Sequence, residues 1–262
     1  EIIQKKEKKY MSTNGEIKVK SLQKALEILN CFAYKQQLGV TEISEMLDLY
    51  KSNVHNILNT YTAMGYLEQD VESGKYRLGI KIFELSRALG TRYEISRIAL
   101  PYMQQIANQT GDNVYLAVLH SDEVLYLEAT YPESATHLMR SILGERAELY
   151  CTGLGKAMLA NMPESYIQEY LTRDFRKFTE QTITSSTALE KELQYTKMRG
   201  YAVDNMEHEF GIKCVALPIF NRQHQVAAAI SVSGNSLNFT DERVTEIAEL
   251  IKKYVIKIEQ RL

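Results

Sequence analysis

Three groups of residues in this 262-residue chain are of types that could do chemistry, and two of them have spacing that suits it. Thr152–Gly153–Leu154 stands where an apolar helical pattern begins. Free backbone N–H groups and the positive end of a helix dipole gather at such a point and hold anions. Ser231 and Ser233 are two apart in a strand pattern, so both hydroxyls face one side of a sheet. If that side is the interior, they need partners, and a bound small molecule could supply them. Equally, the serines could bond neighbouring backbone and the glycines could serve only close packing. Cys151 and Cys214, with His120, His137 or His208, could supply a nucleophile or a metal ligand. No spacing favours that, since neither CxxC nor HExxH occurs, and cysteine is commonly a small buried hydrophobe.

A different chemistry is offered by Lys51–Thr60. Val54, Ile57, Leu58 and Tyr61 recur at helical spacing and define one buried stripe. The opposite face falls on Ser52, Asn56, Asn59 and Ala63, flanked by Asn53, His55 and Thr60. It carries no acid and no large apolar group, which suits a helix lying against a polyanion. Asn pairs with adenine N6 and N7 in the major groove, and the first residues of such a helix, Lys51 and Ser52, approach base edges.

The elements that must position these groups follow from periodicity. Ser21 is expected to cap a first helix that ends near Tyr34. Thr41 is expected to cap a second over Thr41–Leu47, and is grouped with the DNA-facing positions. After the Lys51 helix, Tyr66–Gln69 and Lys75–Leu78 alternate around Ser73–Gly74, a hairpin. Tyr76 and Leu78 then point one way and Lys75 and Arg77 the other, and two cations on an exposed hairpin suit phosphate contact. Two tightly joined helices followed by a hairpin are the pattern of a winged helix-turn-helix.

A helix over Gly79–Leu89 links this front part, residues 17–78, to the rear, with the boundary at Gly90–Thr91–Arg92. Residues 1–16 have the composition of a mobile tail, with Met11 a candidate start. From Ile95 the chain alternates. A helix to Gln109 carrying Pro101 precedes strands Asn113–Leu119, Val124–Ala129 and His137–Leu143. Helices Thr152–Ala160, Pro163–Leu171 and Thr187–Arg199 follow, then strands Tyr201–Asp204, Lys213–Phe220 and Val226–Ser233, and a last helix capped by Thr240. Hairpin-rich strands with surrounding helices indicate an antiparallel α+β sheet over residues 93–262.

Composition agrees with two ordinary globular domains, at 45% hydrophobic and 24% charged residues. Residues 1–92 carry 14 basic against 11 acidic residues, and the remainder 17 against 22, so the front is the basic part. Three scattered cysteines exclude a disulfide framework, and no apolar run approaches a membrane span. A cytoplasmic protein without membrane contact is the expectation.

The chain resembles the IclR family of bacterial transcription regulators over nearly its whole length. Leu49–Leu58 matches the family's recognition helix, with Tyr50, Asn53 and Asn56 where Pro, Thr and Arg are usual. Cys151–Ala160 matches a rear glycine-lysine block. Gly200–Asp204, Glu207, Gly211, Cys214, Ala216, Pro218 and Ile230–Gly234 match its long second signature. The resemblance implies a winged helix-turn-helix followed by a GAF-like effector domain. It also implies a homodimer or homotetramer on double-stranded operator DNA. No cofactor is implied, only a small-molecule effector, a carboxylate.

By alignment the effector residues would be Met139, Ala147, Gly153, Leu154, Asp204, Ile212, Cys214, Ser231 and Ser233. Gly153 and Leu154 would meet the carboxylate. Met139, Ala147 and Ile212 would form the apolar wall, with Ala147 small enough to admit a longer ligand. A repressor of a catabolic operon controlled by a small organic acid is therefore expected. The alternatives are a metal-binding sensor or enzyme built on Cys214, Cys151 and histidine, or an activator of the same family.

Overall fold

The computed structural model describes residues 17–89, 94–134 and 142–262. The chain divides between Arg92 and Tyr93 into two compact units. The front unit contains helices α1 (Lys20–Cys31), α2 (Val40–Leu47) and α3 (Lys51–Ala63), strands β1 (Leu67–Gln69) and β2 (Tyr76–Leu78), and helix α4 (Ile80–Leu89). Ile28, Ile43, Val54, Leu58, Leu67 and Tyr76 meet in one core. The predicted stripe of α3 is therefore the buried one, with Val54 and Leu58 fully enclosed. The two strands are antiparallel, and Leu38 exchanges both backbone hydrogen bonds with Tyr76, at 3.1 and 2.9 Å. That bridge fastens the wing to the segment before α2.

Three details differ from the sequence reading. Ser21 does not cap α1. The helix begins at Lys20, where the Gln23 N–H reaches the Val19 carbonyl at 3.1 Å, and Val19 offers no side-chain cap. Thr41 does not cap α2 either. The Glu42 carboxylate accepts the Gly39 N–H at 2.8 Å, so the helix opens at Val40 and Thr41 is exposed within its first turn. Leu78, which alternation puts on the side of the buried Tyr76, is 42% exposed, because a two-stranded ribbon offers no second layer at its end.

The rear unit opens with α5 (Glu94–Thr110), which runs continuously through Pro101. Six strands form one sheet in the order β5-β4-β3-β8-β7-β6, and every pairing is antiparallel. They are β3 (Asn113–His120), β4 (Glu123–Thr130), β5 (Arg146–Glu148), β6 (Ala202–Asn205), β7 (Ile212–Phe220) and β8 (Val226–Asn235). Helix α9 (Asp241–Glu259) joins α5 over the face bearing Val114, Leu116, Val215, Ile230 and Val232. The opposite face, bearing Ala117, Ala216 and Ala229, is covered by α6 (Gly153–Leu159), with α7 (Glu164–Leu171) and α8 (Ser186–Arg199) in the same core. Thr240 caps α9 through the Arg243 N–H at 3.3 Å.

Of the strand expected over 137–143, only Ile142 and Leu143 are described. Residues 135–141 lie outside the described residues. Ile142–Glu145 form a turn around Gly144 at φ +76°, and the edge strand is Arg146–Glu148. Arg146 meets Glu123 across that edge at 3.3 Å.

Candidate nucleic-acid interface and effector site

The outer face of α3 is polar and open. Lys51, Ser52, Asn53, His55, Asn56 and Asn59 are all exposed. The side-chain amides of Asn53 and Asn56 make no hydrogen bond within the described residues. Asn59 is engaged: its Nδ2 lies 3.4 Å from His55 Nδ1, and its Oδ1 accepts from the Tyr76 hydroxyl at 3.4 Å. The two wing cations are engaged as well. Lys75 lies 3.2 Å from Glu42, and Arg77 donates to Glu68 at 3.0 and 3.2 Å. Glu42 also takes Lys35 at 2.5 Å. Lys35, the Gly39 N–H and Lys75 together hold its carboxyl down at about 2. Glu42 lies in α2, outside the hairpin, whereas Glu68 stands opposite Arg77 within it, a pair that depends on strand register. Sequence reading also passed over Tyr50, which stands 81% exposed immediately before α3.

In the rear unit, register gathers the candidate residues. Ser231 on β8 pairs with Tyr115 of β3 on one side and Ala216 of β7 on the other. Ser233 pairs with Asn113 and Cys214, and Cys214 pairs with Asp204 of β6. The first turn of α6 lies on these strands. A Cβ on Gly153 would sit 3.3 Å from the Ala216 Cβ, 3.4 Å from the Cys214 Cβ and 3.7 Å from the Asp204 nitrogen. Gly153, Asp204, Cys214, Ser231 and Ser233 are thus brought together. Leu154 and Ala147 are buried in the core of the same face, and Ile212 stands two residues before Cys214 on β7. Met139 lies outside the described residues.

The local geometry follows from a tight turn. The Thr152 hydroxyl accepts the Gly155 N–H at 3.1 Å and donates to the Glu148 carbonyl at 2.9 Å, closing the loop between β5 and α6. Any Cβ on Gly155 would lie 2.3 Å from the Leu149 carbonyl oxygen, so only glycine fits. Ser233 Oγ donates to Cys214 Sγ at 2.9 Å. The Ser231 hydroxyl, in a residue 1% exposed, has no partner among the described residues.

Charge is concentrated beside this floor. The Glu207 N–H donates to Asp204 Oδ1 at 2.7 Å. Burial, and then the Glu207 carboxylate, push the Asp204 carboxyl up to about 7. Burial also raises Glu207, whose carboxylate meets the fully buried Lys156 ammonium, with Glu192 3.8 Å from the same nitrogen. Glu207 Oε2 has no partner among the described residues. Burial and the Asp204 charge push both the Cys151 and Cys214 thiols up, the opposite of what a nucleophilic cysteine needs. Among the described residues no three His, Cys, Asp or Glu side chains are grouped to hold a metal ion. No described helix is long and apolar enough to cross a membrane.

Sequence reading did not single out Tyr115, Tyr126, Lys156 or Glu207. Tyr115 and Tyr126 meet edge to face, with ring centroids 5.9 Å apart, on the sheet face that α6 covers. Their alternation in strand patterns was visible. Their nearness to Ser231 depends on a sheet order that spacing does not reveal.

The comparisons with known proteins agree over both units. Residues 21–71 match the IclR helix-turn-helix domain and residues 88–260 the C-terminal domain of bacterial transcriptional regulator IclR. The chain is 32% identical to HTH-type transcriptional regulator KdgR of Escherichia coli over 246 residues, 93% of each chain. It is 31% identical to the transcriptional repressor IclR of the same organism, over 90% of this chain and 87% of that one. The solved IclR structure of Thermotoga maritima superposes with a TM-score of 0.77 at 32% identity, covering 93% of this chain and 98% of that chain. An IclR homolog of Microbacterium hydrocarbonoxydans complexed with 4-hydroxybenzoate shares the fold, with a TM-score of 0.81 at 23% identity over 92% and 98% of the two chains. On its recognition helix, its antiparallel effector-type sheet and these matches, the chain belongs to the IclR family of transcription regulators.

Proposed function

We propose that this regulator represses a catabolic operon and that a small organic acid, bound in the rear unit, controls its grip on double-stranded operator DNA. Ser52, Asn53, His55 and Asn56 read base edges from α3, with Thr41 and Lys51 at its approach. Lys51, Lys75 and Arg77 serve phosphates, the latter two by exchanging Glu42 and Glu68 for the DNA backbone. In the rear unit the Gly153 and Leu154 N–H groups meet a carboxylate. Asp204, Ser231 and Ser233 hold its other polar atoms, and Met139, Ala147, Ile212 and Cys214 complete the wall.

The observation that carries the ligand-responsive part is the polar floor beneath the first turn of α6, where Gly153 stands over Cys214 and Ala216, and Ser231, paired in register with Ala216, makes no hydrogen bond to a described residue. A polar ligand would pair with the Ser231 hydroxyl and with the N–H groups of that first turn. One winged helix reads few base pairs, so a homodimer or homotetramer on a near-palindromic site completes the reading. Leu22 and Leu26 on α1 and Ile80 and Phe83 on α4, all roughly half exposed or more, supply apolar surface for it. Such a protein works in the cytoplasm.

The test is scanning fluorimetry of the full chain against a panel of small organic acids, since a specific ligand raises the melting temperature by mass action. An acid that stabilises the protein should also change its retention of operator DNA. Stabilisation without any change in DNA binding would break the proposed link.

A further inference from the structure

Tyr50 occupies the place before α3 where proline is usual in the IclR family, and it is 81% exposed. Its side chain makes no hydrogen bond or ring contact among the described residues. Its backbone, by contrast, is held from both sides. Leu49 packs against the front core, its N–H donates to the Ser44 carbonyl at 3.1 Å, and its carbonyl accepts the Ser44 hydroxyl at 2.5 Å. The Tyr50 carbonyl accepts the N–H groups of Asn53 at 2.9 Å and Val54 at 3.1 Å, in the first turn of α3. A large ring is thus presented to solvent from a fixed point.

The fold itself does not call for that side chain. Tyr50 adopts a φ of −62°, the value that a proline ring presets, and its N–H donates to no described group. Proline would serve this backbone and restrict the unfolded chain as well. A ring left in water forgoes the burial its size allows. The side chain therefore has its use outside the front unit. Lys51, Ser52 and Asn53, next in the chain, are all exposed at the start of α3. A recognition helix enters the major groove by its first residues, while the helix before it crosses the backbone. A residue in the turn between them stands at the rim of the groove, within reach of phosphates. Tyrosine is among the side chains that donate to phosphate oxygens. The wing cations Lys75 and Arg77 are each shared with an acid, whereas no described group competes for the Tyr50 phenol.

We propose that Tyr50 is a further DNA-contacting residue, its hydroxyl donating to a backbone phosphate at the rim of the major groove beside α3. The contact adds affinity without base preference. Because a phenol brings no charge, it adds none of the salt dependence that a lysine contact carries. The proposal rests on the reading of α3 as the DNA-facing helix.

The test is fluorescence anisotropy of the full chain on a duplex selected from a random pool, and on single-base-pair variants of it, over a series of salt concentrations. Tyr50→Phe should weaken binding to all of these duplexes by the same factor, at least about tenfold, the scale of a hydrogen bond to a charged group. The slope of log affinity against log salt and the melting temperature should stay as in wild type. Tyr50→Pro should lose at least as much affinity and keep the fold.

Wild-type affinity in Tyr50→Phe overturns the phosphate contact, whatever Tyr50→Pro does. A loss that differs between the duplexes makes Tyr50 a base reader, and it overturns the proposal as a reduced salt slope does. A lower melting temperature in Tyr50→Phe places the hydroxyl in the fold and overturns it too. Lys51→Ala separates these failures from that of the reading beneath. If it weakens binding while Tyr50→Phe is silent, α3 still faces DNA and only the role of Tyr50 falls. If neither variant changes affinity, the reading of α3 falls with it.

Discussion

The Tyr76 hydroxyl of the wing donates to the Asn59 amide oxygen of the recognition helix at 3.4 Å. The helix and the wing are therefore joined by a side chain that otherwise looks like a base reader. Asn56, three residues earlier, carries no such tie. Asn56→Ala should relax base preference at one step of the half-site, by about 1–3 kcal/mol of discrimination. Asn59→Ala should instead lower the melting temperature, by roughly 0.5–1.5 kcal/mol of stability, and leave base preference alone. Binding selection with both variants distinguishes them, and a changed sequence preference in Asn59→Ala alone would reverse the assignment. With three asparagines and no arginine on α3, the selected half-sites should be biased toward A·T.

Lys51 is exposed at the start of α3, and no salt bridge is found for it among the described residues. Lys51→Ala should weaken binding to every duplex alike and reduce the slope of log affinity against log salt by about 1. Lys75→Ala should reduce it less, because Glu42 competes with phosphate for that ammonium. Titrations at several salt concentrations check both slopes.

Asp204 gives the proposed effector site a pH dependence of defined sign. Its carboxyl ordinarily titrates at 3.8 and is pushed up to about 7 in the fold. Between those values the folded protein holds a proton that the unfolded chain has released. The stability contributed by the neutral form is therefore complete at low pH and is lost as pH rises toward 7. Asp204→Asn keeps the neutral state, so its melting temperature should gain on wild type between pH 5 and pH 8. An anionic effector prefers the neutral carboxyl, so its affinity should fall as pH rises through about 7 and flatten in Asp204→Asn. A wild-type affinity that rises over the same range would contradict this.

The Lys156–Glu207 pair is buried, with side chains 1% and 5% exposed. Lys156→Met leaves the Glu207 carboxylate enclosed without its cation, a loss of about 3–5 kcal/mol. Adding Glu207→Gln should recover much of it, since the remaining cost is then a neutral amide. Denaturant unfolding of the single and double variants measures the recovery.

Local patterns carried most of the fold and part of the site. Val54 and Leu58 announced the buried side of α3, and with it the open polar side, because helical spacing fixes both at once. Ser231 and Ser233 announced a shared strand face for the same reason at period two. What faces them was not legible, because Tyr115, Ala216, Cys214 and Asp204 reach them only through the strand order of the finished sheet. Lys156 and Glu207, 51 residues apart, were visible as members of two motifs and not as partners. The cap expected at Thr240 formed, and the one expected at Thr41 failed for a local reason: Glu42 reached back to Gly39 and took its place. The edge strand Arg146–Glu148 was not legible, because three residues after the turn at Gly144 are too few to show an alternation.

The central claim is that an acid bound beside Ser231 governs DNA binding by a separate unit. Fluorescence anisotropy of the full chain on a duplex selected from a random pool measures it directly, with and without an acid that raises the melting temperature. Wild type should bind the duplex with an affinity that falls steeply with salt and changes when the acid is added. Ser231→Ala should bind the same duplex equally well and respond to the acid at least about tenfold less sensitively. An unchanged acid response in Ser231→Ala, or an acid that binds without altering DNA affinity, would contradict the account.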